Sequence, residues 1–145
     1  MKWKSWGLRL LIVIALLAIV NEFRPKQVFR DLTQDGVVSA DVLFGAYPPY
    51  PMTTEDQRKL VLYLQSVVVT RRAPEYTAGY AGGTAPTTFR LNMADGSAIT
   101  ISYRHPFFII NGTGYRCHYA PDGITALFGS YIDTIRSATE PITNK

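Results

Sequence analysis

The sequence contains a single cysteine, Cys117, and only two histidines. One thiol cannot form an internal disulfide, so the folded part must be stabilised by packing alone. Cys117 and His118 are adjacent in a segment with strand periodicity, where successive side chains point to opposite faces. They therefore cannot form a nucleophile and base pair. We predict a buried, inert thiol, with intermolecular pairing outside the cell as the alternative.

The chain also has little excess charge beyond its N-terminus. Its formal net charge is +4, from 15 Lys and Arg against 11 Asp and Glu. Residues 1–23 contain three of the basic groups and one of the acidic groups, so 12 basic residues face 10 acidic ones from Arg24 onward. The remaining +2 is scattered, with Arg71-Arg72 as a basic pair in a mixed background, and no stripe could follow a phosphate backbone. We therefore expect no nucleic-acid partner.

Motifs for nucleotide, metal and catalytic sites are missing as well. The glycines within residues 79–83 precede Pro86 rather than a helix, so they do not form a phosphate-binding loop. His105 and His118 would be cross-strand neighbours only if a hairpin continued past Pro106, and two histidines alone do not define a metal site. We expect no cofactor, no metal and no enzymatic activity.

What the sequence does have is an apolar stretch behind a basic start, residues 6–23. It is apolar around its whole circumference, unlike a helix packed on a soluble core. Its uninterrupted part, Leu10–Val20, has eleven residues and by itself suits a signal-peptide core. However, Val20 stands where a cleavage site requires a small residue, and residues 6–23 would form about 27 Å of helix, close to the hydrocarbon thickness. We therefore predict an uncleaved transmembrane signal anchor over residues 1–23.

The orientation of this anchor follows from a comparison of its flanks. Three basic residues lie on each side of the uninterrupted apolar part: Lys2, Lys4 and Arg9 before it, and Arg24, Lys26 and Arg30 after it. Because the count is tied, the short leading segment favours an N-terminus inside. No cysteine follows the apolar run for a lipid to modify. The predicted location is the plasma membrane, with a single pass and an extracytoplasmic C-terminal domain.

The rest of the chain predicts an α+β domain over residues 37–136, a mostly antiparallel β-sheet with two packed helices. A polar juxtamembrane linker is expected at 24–36 and a flexible tail at 137–145. The first strand, Val37–Phe44, alternates so that four residues share one face: Val38, Ala40, Val42 and Phe44. Thr54 and Gln57 have the spacing of a capping box that opens the first helix of the domain.

Turn residues then predict two hairpins and their registers. A three-residue loop over 94–96, with Gly96 left-handed, pairs Leu91 with Ile99 and keeps apolar residues on one face. A two-residue turn would mix apolar and polar residues on that face. Asn111-Gly112 favours a tight turn that sets Phe108 opposite Tyr115. After Pro121 a last helix is predicted from one apolar stripe: Ile124, Leu127, Phe128, Tyr131 and Ile135.

Two irregular segments contain exposed aromatic candidates for binding. Residues 47–51 (YPPYP) cannot be helical and should form a polyproline-like connector. Residues 73–86 are a long loop without a hydrophobic period. We predict a candidate partner surface for an envelope protein or a glycan, built from four tyrosines of these segments: Tyr47, Tyr50, Tyr76 and Tyr80.

Finally, the anchor, the Pro-rich connector before a Thr-capped helix, and the runs FRLNMADGSAITISY and FFIINGTGYRC resemble small membrane-anchored envelope proteins of Gram-positive bacteria. The similarity covers most of residues 28–136 and implies an envelope location, with no catalytic residues to carry over. We predict a single-pass, extracytoplasmic binding or accessory domain. One alternative is a small envelope hydrolase whose site is assembled from distant residues, with His105 or His118 as the base. Another is a regulatory subunit that acts through its transmembrane helix.

Overall fold

A computed structural model describes residues 3–73 and 87–139 of the chain. Within these residues the fold is α+β, with three helices and one seven-stranded antiparallel sheet. The helices are α1 (Trp3–Glu22), α2 (Thr54–Gln65) and α3 (Gly123–Thr139). The strands are β1 (Val37–Leu43), β2 (Tyr50–Pro51), β3 (Val68–Arg72), β4 (Thr87–Met93), β5 (Ala98–Arg104), β6 (Phe107–Ile110) and β7 (Thr113–Tyr119). They lie side by side in the order β2-β1-β4-β5-β6-β7-β3.

The core lies between one face of this sheet and the helices α2 and α3. Phe89 of β4 and Phe108 of β6 are completely buried there, together with Leu60 and Leu64 of α2. The predicted stripe of α3 is confirmed, because all five of its apolar residues are buried. Both helices of the domain therefore present one apolar face to the sheet, as their periodicity indicates.

Both predicted hairpin registers are confirmed. Leu91 pairs with Ile99 across β4 and β5, and Gly96 has a φ of +84°, which a residue with a Cβ rarely adopts. Phe108 pairs with Tyr115 across β6 and β7. The local turn chemistry thus determines which residues of the central strands face the core.

The predicted face of β1 is wrong at its start. The pairing of β1 with β4 shifts between Val37 and Ser39, which is a β-bulge. As a result Val37 is buried and Val38 is 68% exposed, whereas Ala40 and Val42 face the core as predicted. The extra residue of a bulge reverses the alternation on one side of it.

The N-cap of α2 differs from the prediction by one residue. Thr53, not Thr54, caps the helix, and its hydroxyl oxygen accepts a hydrogen bond from the backbone N–H of Asp56 at 3.2 Å. Gln57 is therefore not the reciprocal partner in a capping box. Its side-chain amide instead donates to the carbonyl oxygen of Val37 at 2.9 Å and ties α2 to β1.

The segment predicted as a juxtamembrane linker packs on the domain. Phe29 and Leu32 are buried in the core, and the Gln65 side chain donates to the Leu32 carbonyl at 2.6 Å. Lys26 and Val69 exchange two backbone hydrogen bonds, of 2.7 and 2.9 Å, as an isolated antiparallel bridge. Three apolar residues, Val28, Phe29 and Leu32, in a polar stretch are too few to form a sequence pattern, so these contacts were not predicted.

The C-terminal boundary also differs from the expectation. Helix α3 continues to Thr139, so the predicted flexible tail at 137–145 begins within the helix. Residues 140–145 lie outside the described part of the chain, as do residues 74–86 of the predicted long loop. Ala73, the first residue of that loop, is buried, and its N–H donates to the Gly114 carbonyl at 2.6 Å.

The predicted transmembrane helix is not supported. Across residues 3–73 and 87–139, no helix combines the length and the apolar character needed to cross a membrane. In α1 the uninterrupted apolar run from Leu10 to Val20 is bounded by Arg9 and by Asn21. Eleven residues of helix extend for only about 16 Å, roughly half the hydrocarbon thickness of a bilayer.

Candidate membrane-attachment site and partner surface

Helix α1 exposes apolar side chains on all of its sides. Twelve large apolar residues between Trp6 and Phe23 are each more than half exposed, from 51% for Ile12 to 75% for Trp6. A soluble monomer rarely exposes a contiguous apolar patch larger than a few hundred Å². Covering these side chains would be worth on the order of 10 kcal/mol, because each contributes about 1.5–3 kcal/mol when fully buried. The helix therefore requires an apolar environment.

The C-terminal end of α1 borders a hollow with two kinds of lining. Its volume is about 660 Å³, and its lining residues are Leu17, Ile19, Val20, Asn21, Phe23 and Arg24. Four of these residues are apolar, whereas the last turn adds an amide and a guanidinium. All six residues lie within 17–24, so the hollow is an open recess along the end of α1 whose lining is mostly apolar and includes one cation.

A short, ordered connection joins α1 to the sheet. The N–H groups of Phe23 and Arg24 donate to the carbonyls of Ile19 and Asn21, at 3.3 and 3.4 Å, which continues the helical turn. Lys26 then bonds to Val69 of β3, and α1 also contacts β3. The end of α1 is therefore held beside the β3 edge of the sheet.

The predicted partner surface is described at two of its four tyrosines. The Tyr47 ring stacks on Phe44, with 5.5 Å between centroids and 9° between planes, and it is 37% exposed. The Arg136 guanidinium lies 5.3 Å from the centroid of the same Phe44 ring. Tyr50 is half-buried and packs against the core, edge-on to Tyr131 at 5.9 Å. Tyr47 is therefore the more accessible of these two rings.

Sequence reasoning missed the residues that support Tyr47. Phe44 was predicted as a core residue of β1, and Arg136 lies 92 positions further along the chain, in the last turn of α3. No sequence signal brings the two together, because the contact depends on how α3 crosses the sheet. Tyr76 and Tyr80 lie outside the described residues. The assignment of all four tyrosines as a partner surface stays a prediction.

A hydrogen-bonded group beneath Tyr50 links α2 to α3. The Tyr131 hydroxyl donates to a carboxylate oxygen of Asp56 at 2.8 Å and accepts from the N–H of Thr53 at 3.0 Å. The hydrogen bond from Tyr131 is the main cause that lowers the pKa of Asp56 below its usual value. Burial raises the pKa of the Tyr131 hydroxyl, so it remains a donor at neutral pH. Tyr131 of α3 thus takes part in the N-terminal cap of α2 and joins the two helices.

Acidification should weaken this link. Because the folded-state pKa of Asp56 is depressed, its contribution to stability is present above the unfolded pKa and is lost as the pH falls through the folded pKa. We expect Tyr131→Phe to cost about 1 kcal/mol of unfolding free energy at pH 7 and less near pH 3. Urea denaturation at both pH values, followed by circular dichroism, measures the difference. Tyr119→Phe, at an exposed tyrosine, is the control, and a Tyr131→Phe cost that stays constant with pH would contradict the assignment.

The predicted chemistry of the histidines and the cysteine can be compared with their positions. His105 and His118 are both exposed, and the hollow beside α1 contains neither. Cys117 is half-buried rather than buried as predicted, and this burial raises the pKa of its thiol, which keeps it protonated and weakly nucleophilic at neutral pH. Among the described residues, no group of three or more His, Cys, Asp or Glu could hold a metal ion. The hydrolase alternative stays a prediction, and residues 3–73 and 87–139 show no metal cluster or histidine-lined hollow that supports it.

Comparisons with known proteins add no constraint on this site. No protein-family model matches the chain, and no curated protein or solved structure is similar to it. The resemblance to Gram-positive envelope proteins therefore stays a prediction, and the function has to be argued from α1 and its surroundings.

Proposed function

We propose that the protein is a membrane-attached, extracytoplasmic accessory or binding domain of the cell envelope, without catalytic activity. Helix α1 is the attachment element, and the α+β domain is the part that meets partners. The observation that carries the proposal is the exposure of apolar side chains around the whole circumference of α1. A helix that packs on one protein partner needs only one apolar face, whereas lipid surrounds an inserted helix on every side.

The ends of α1 fit insertion into a bilayer. Arg9 and Arg24 flank an apolar run that is too short to span a bilayer, so both guanidinium groups would extend toward the headgroups of one leaflet while their aliphatic stems stay in apolar surroundings. The apolar run between them is the part that would lie among acyl chains. Trp6 precedes this run, where the amphipathic indole ring suits the membrane interface.

A vesicle experiment tests the attachment directly. Both tryptophans of the chain, Trp3 and Trp6, belong to α1, so their fluorescence reports on this helix alone. When detergent-purified full-length protein is transferred to phospholipid vesicles, we expect the emission to shift to shorter wavelength. Lipids with brominated acyl chains should also quench it. Ile14→Lys with Leu17→Lys should reduce the vesicle-bound fraction at least tenfold, because burying two ammonium groups among acyl chains is costly.

The matched control places the same two charges on exposed apolar positions of the domain. Val38→Lys with Leu62→Lys alters β1 and α2, where both side chains are exposed. This control should bind vesicles as the unchanged protein does. Membrane attachment through α1 would be refuted if the tryptophan emission did not change when vesicles are added. It would also be refuted if both double variants lost the same share of vesicle binding. Protease added to intact cells should remove the domain, and full protection would refute its extracytoplasmic placement.

A further inference from the structure

We infer that the β3 edge of the domain rests on the anionic phospholipid headgroups of the membrane into which α1 inserts. This docking surface consists of the segment 24–30 and the strand β3. The inference deepens the proposed membrane attachment and rests on it, since it names the lipid class and the face of the domain that meets the bilayer.

The connection between α1 and the sheet is short. Only Phe23, Arg24 and Pro25 separate the last residue of α1 from Lys26, which is fixed to Val69 by two backbone hydrogen bonds. Four residue steps span at most about 14 Å even when fully extended. A freely moving tether would allow any face of the domain to approach the bilayer. This connection instead holds β3 next to the point where α1 leaves it.

The basic residues of the domain are concentrated on the docking surface. Five of the 12 basic residues after position 23 belong to the docking surface: Arg24, Lys26, Arg30, Arg71 and Arg72. The docking surface itself contains no acidic residue, although Glu22 precedes it and Asp31 follows it in the chain. The rest of the chain from Arg24 onward has 12 − 5 = 7 basic and 10 acidic residues, a formal charge of −3. An anionic membrane should therefore attract the β3 edge and repel the rest of the domain.

The hollow at the end of α1 lies next to the docking surface. Its lining includes the apolar residues Val20 and Phe23 and the cationic residue Arg24. A phospholipid has the same arrangement, because its apolar acyl chains lie next to a negatively charged phosphate. Arg24 is exposed, so its guanidinium can reach a phosphate oxygen beside the hollow. The position of the hollow at the end of α1 and the positive charge of Arg24 therefore both favour an anionic phospholipid as the occupant.

The test measures how close the β3 edge lies to headgroups of different charge. In a Cys117→Ser background, a fluorophore is attached to Thr70→Cys on β3 or to Ala94→Cys in the β4–β5 turn, four strand positions away. The full chain is reconstituted in phosphatidylcholine vesicles with or without phosphatidylglycerol, and a lipid with a nitroxide headgroup acts as the short-range quencher. We expect stronger quenching at position 70 when phosphatidylglycerol is present and a loss of that gain at high salt. Position 94 should not respond.

Charge variants make the test specific to the docking surface. Removing one basic residue should reduce the ratio of docked to undocked domain about fivefold, so Arg24→Gln with Lys26→Gln should reduce it about 25-fold. The matched control, Arg58→Gln with Arg90→Gln, removes two exposed charges from α2 and β4 and should leave the quenching unchanged. A double variant at 24 and 26 that behaves like this control would overturn the inference.

Tryptophan emission in the same samples separates this inference from the proposed function. A retained blue shift without any effect of lipid charge on position 70 would refute headgroup docking and leave membrane attachment intact. Loss of the blue shift itself would refute attachment. Quenching at position 70 that follows the protein-to-lipid ratio, and not the lipid charge, would identify a second copy of the chain as the occupant and overturn the inference.

Discussion

Phe89→Ala is expected to lower the free energy of unfolding by about 3–5 kcal/mol, the cost of deleting a fully buried phenylalanine. Phe89 lies in the middle of β4, where Val42 of β1 and Ile101 of β5 flank it. It is completely buried, and its ring meets Phe128 of α3 edge to face, with centroids 5.8 Å apart. Alanine would leave a cavity between the sheet and α3. Since small domains have only about 5–15 kcal/mol of stability, the variant should be close to unfolding at body temperature.

Urea denaturation followed by far-ultraviolet circular dichroism measures this loss. Tryptophan fluorescence does not suit the purpose, because both tryptophans lie in α1. Val38→Ala on β1 is the control, since Val38 is mostly exposed and should cost less than about 0.5 kcal/mol. If the two substitutions have similar costs, Phe89 is not a central residue of the core.

The hairpins were predictable because their information is local. Asn111 and Gly112 both have positive φ, at 48° and 79°, which is the conformation that an Asn-Gly turn favours. With the turn fixed, the alternation of apolar residues leaves one register for β6 and β7. The stripe of α3 was predictable for the same reason, since five residues at helical spacing define one face.

The bulge in β1 and the core contacts of the segment 24–36 have a different origin. Val37 and Val38 are both apolar, so the sequence does not show which one faces the core, and a bulge decides it. Lys26 joins the sheet through backbone hydrogen bonds. Such bonds do not depend on the type of side chain, so the sequence contains no pattern that predicts them. Contacts of this kind depend on the position of β3, a strand more than 40 residues away in the chain.

The same distinction applies to the candidate site. The apolar run of α1 was evident in the sequence, whereas the connection that places β3 beside its end was not. Reading residues 24–36 as a flexible linker would leave the orientation of the domain undefined. Their contacts with the core and with Val69 instead give the domain one face toward the proposed membrane, and that face contains five of its 12 basic residues and no acidic residue.

Gly123→Ala is expected to destabilise the domain by about 1–3 kcal/mol through overpacking. Gly123 is the first residue of α3, and a Cβ there would meet the Tyr63 ring of α2, with Cε2 at 2.7 Å, Cε1 at 2.9 Å and Cζ also in conflict. Tyr63 is half-buried and packs against the core, so its ring must shift out of that packing to make room for the methyl group. The absence of a side chain at position 123 therefore leaves room for the Tyr63 ring between the two helices.

The same substitution at Gly129 is the matched control and should have the opposite sign. No atom lies within 4 Å of a Cβ built there, in the middle of the same helix, so alanine should stabilise the domain by about 0.5–1 kcal/mol through helix propensity. Adding Tyr63→Leu to Gly123→Ala should recover part of the loss, which a double-mutant cycle by urea denaturation measures as coupling. Stability changes of the same sign at 123 and 129, or no coupling with position 63, would show that the Tyr63 ring does not limit how closely α3 approaches α2.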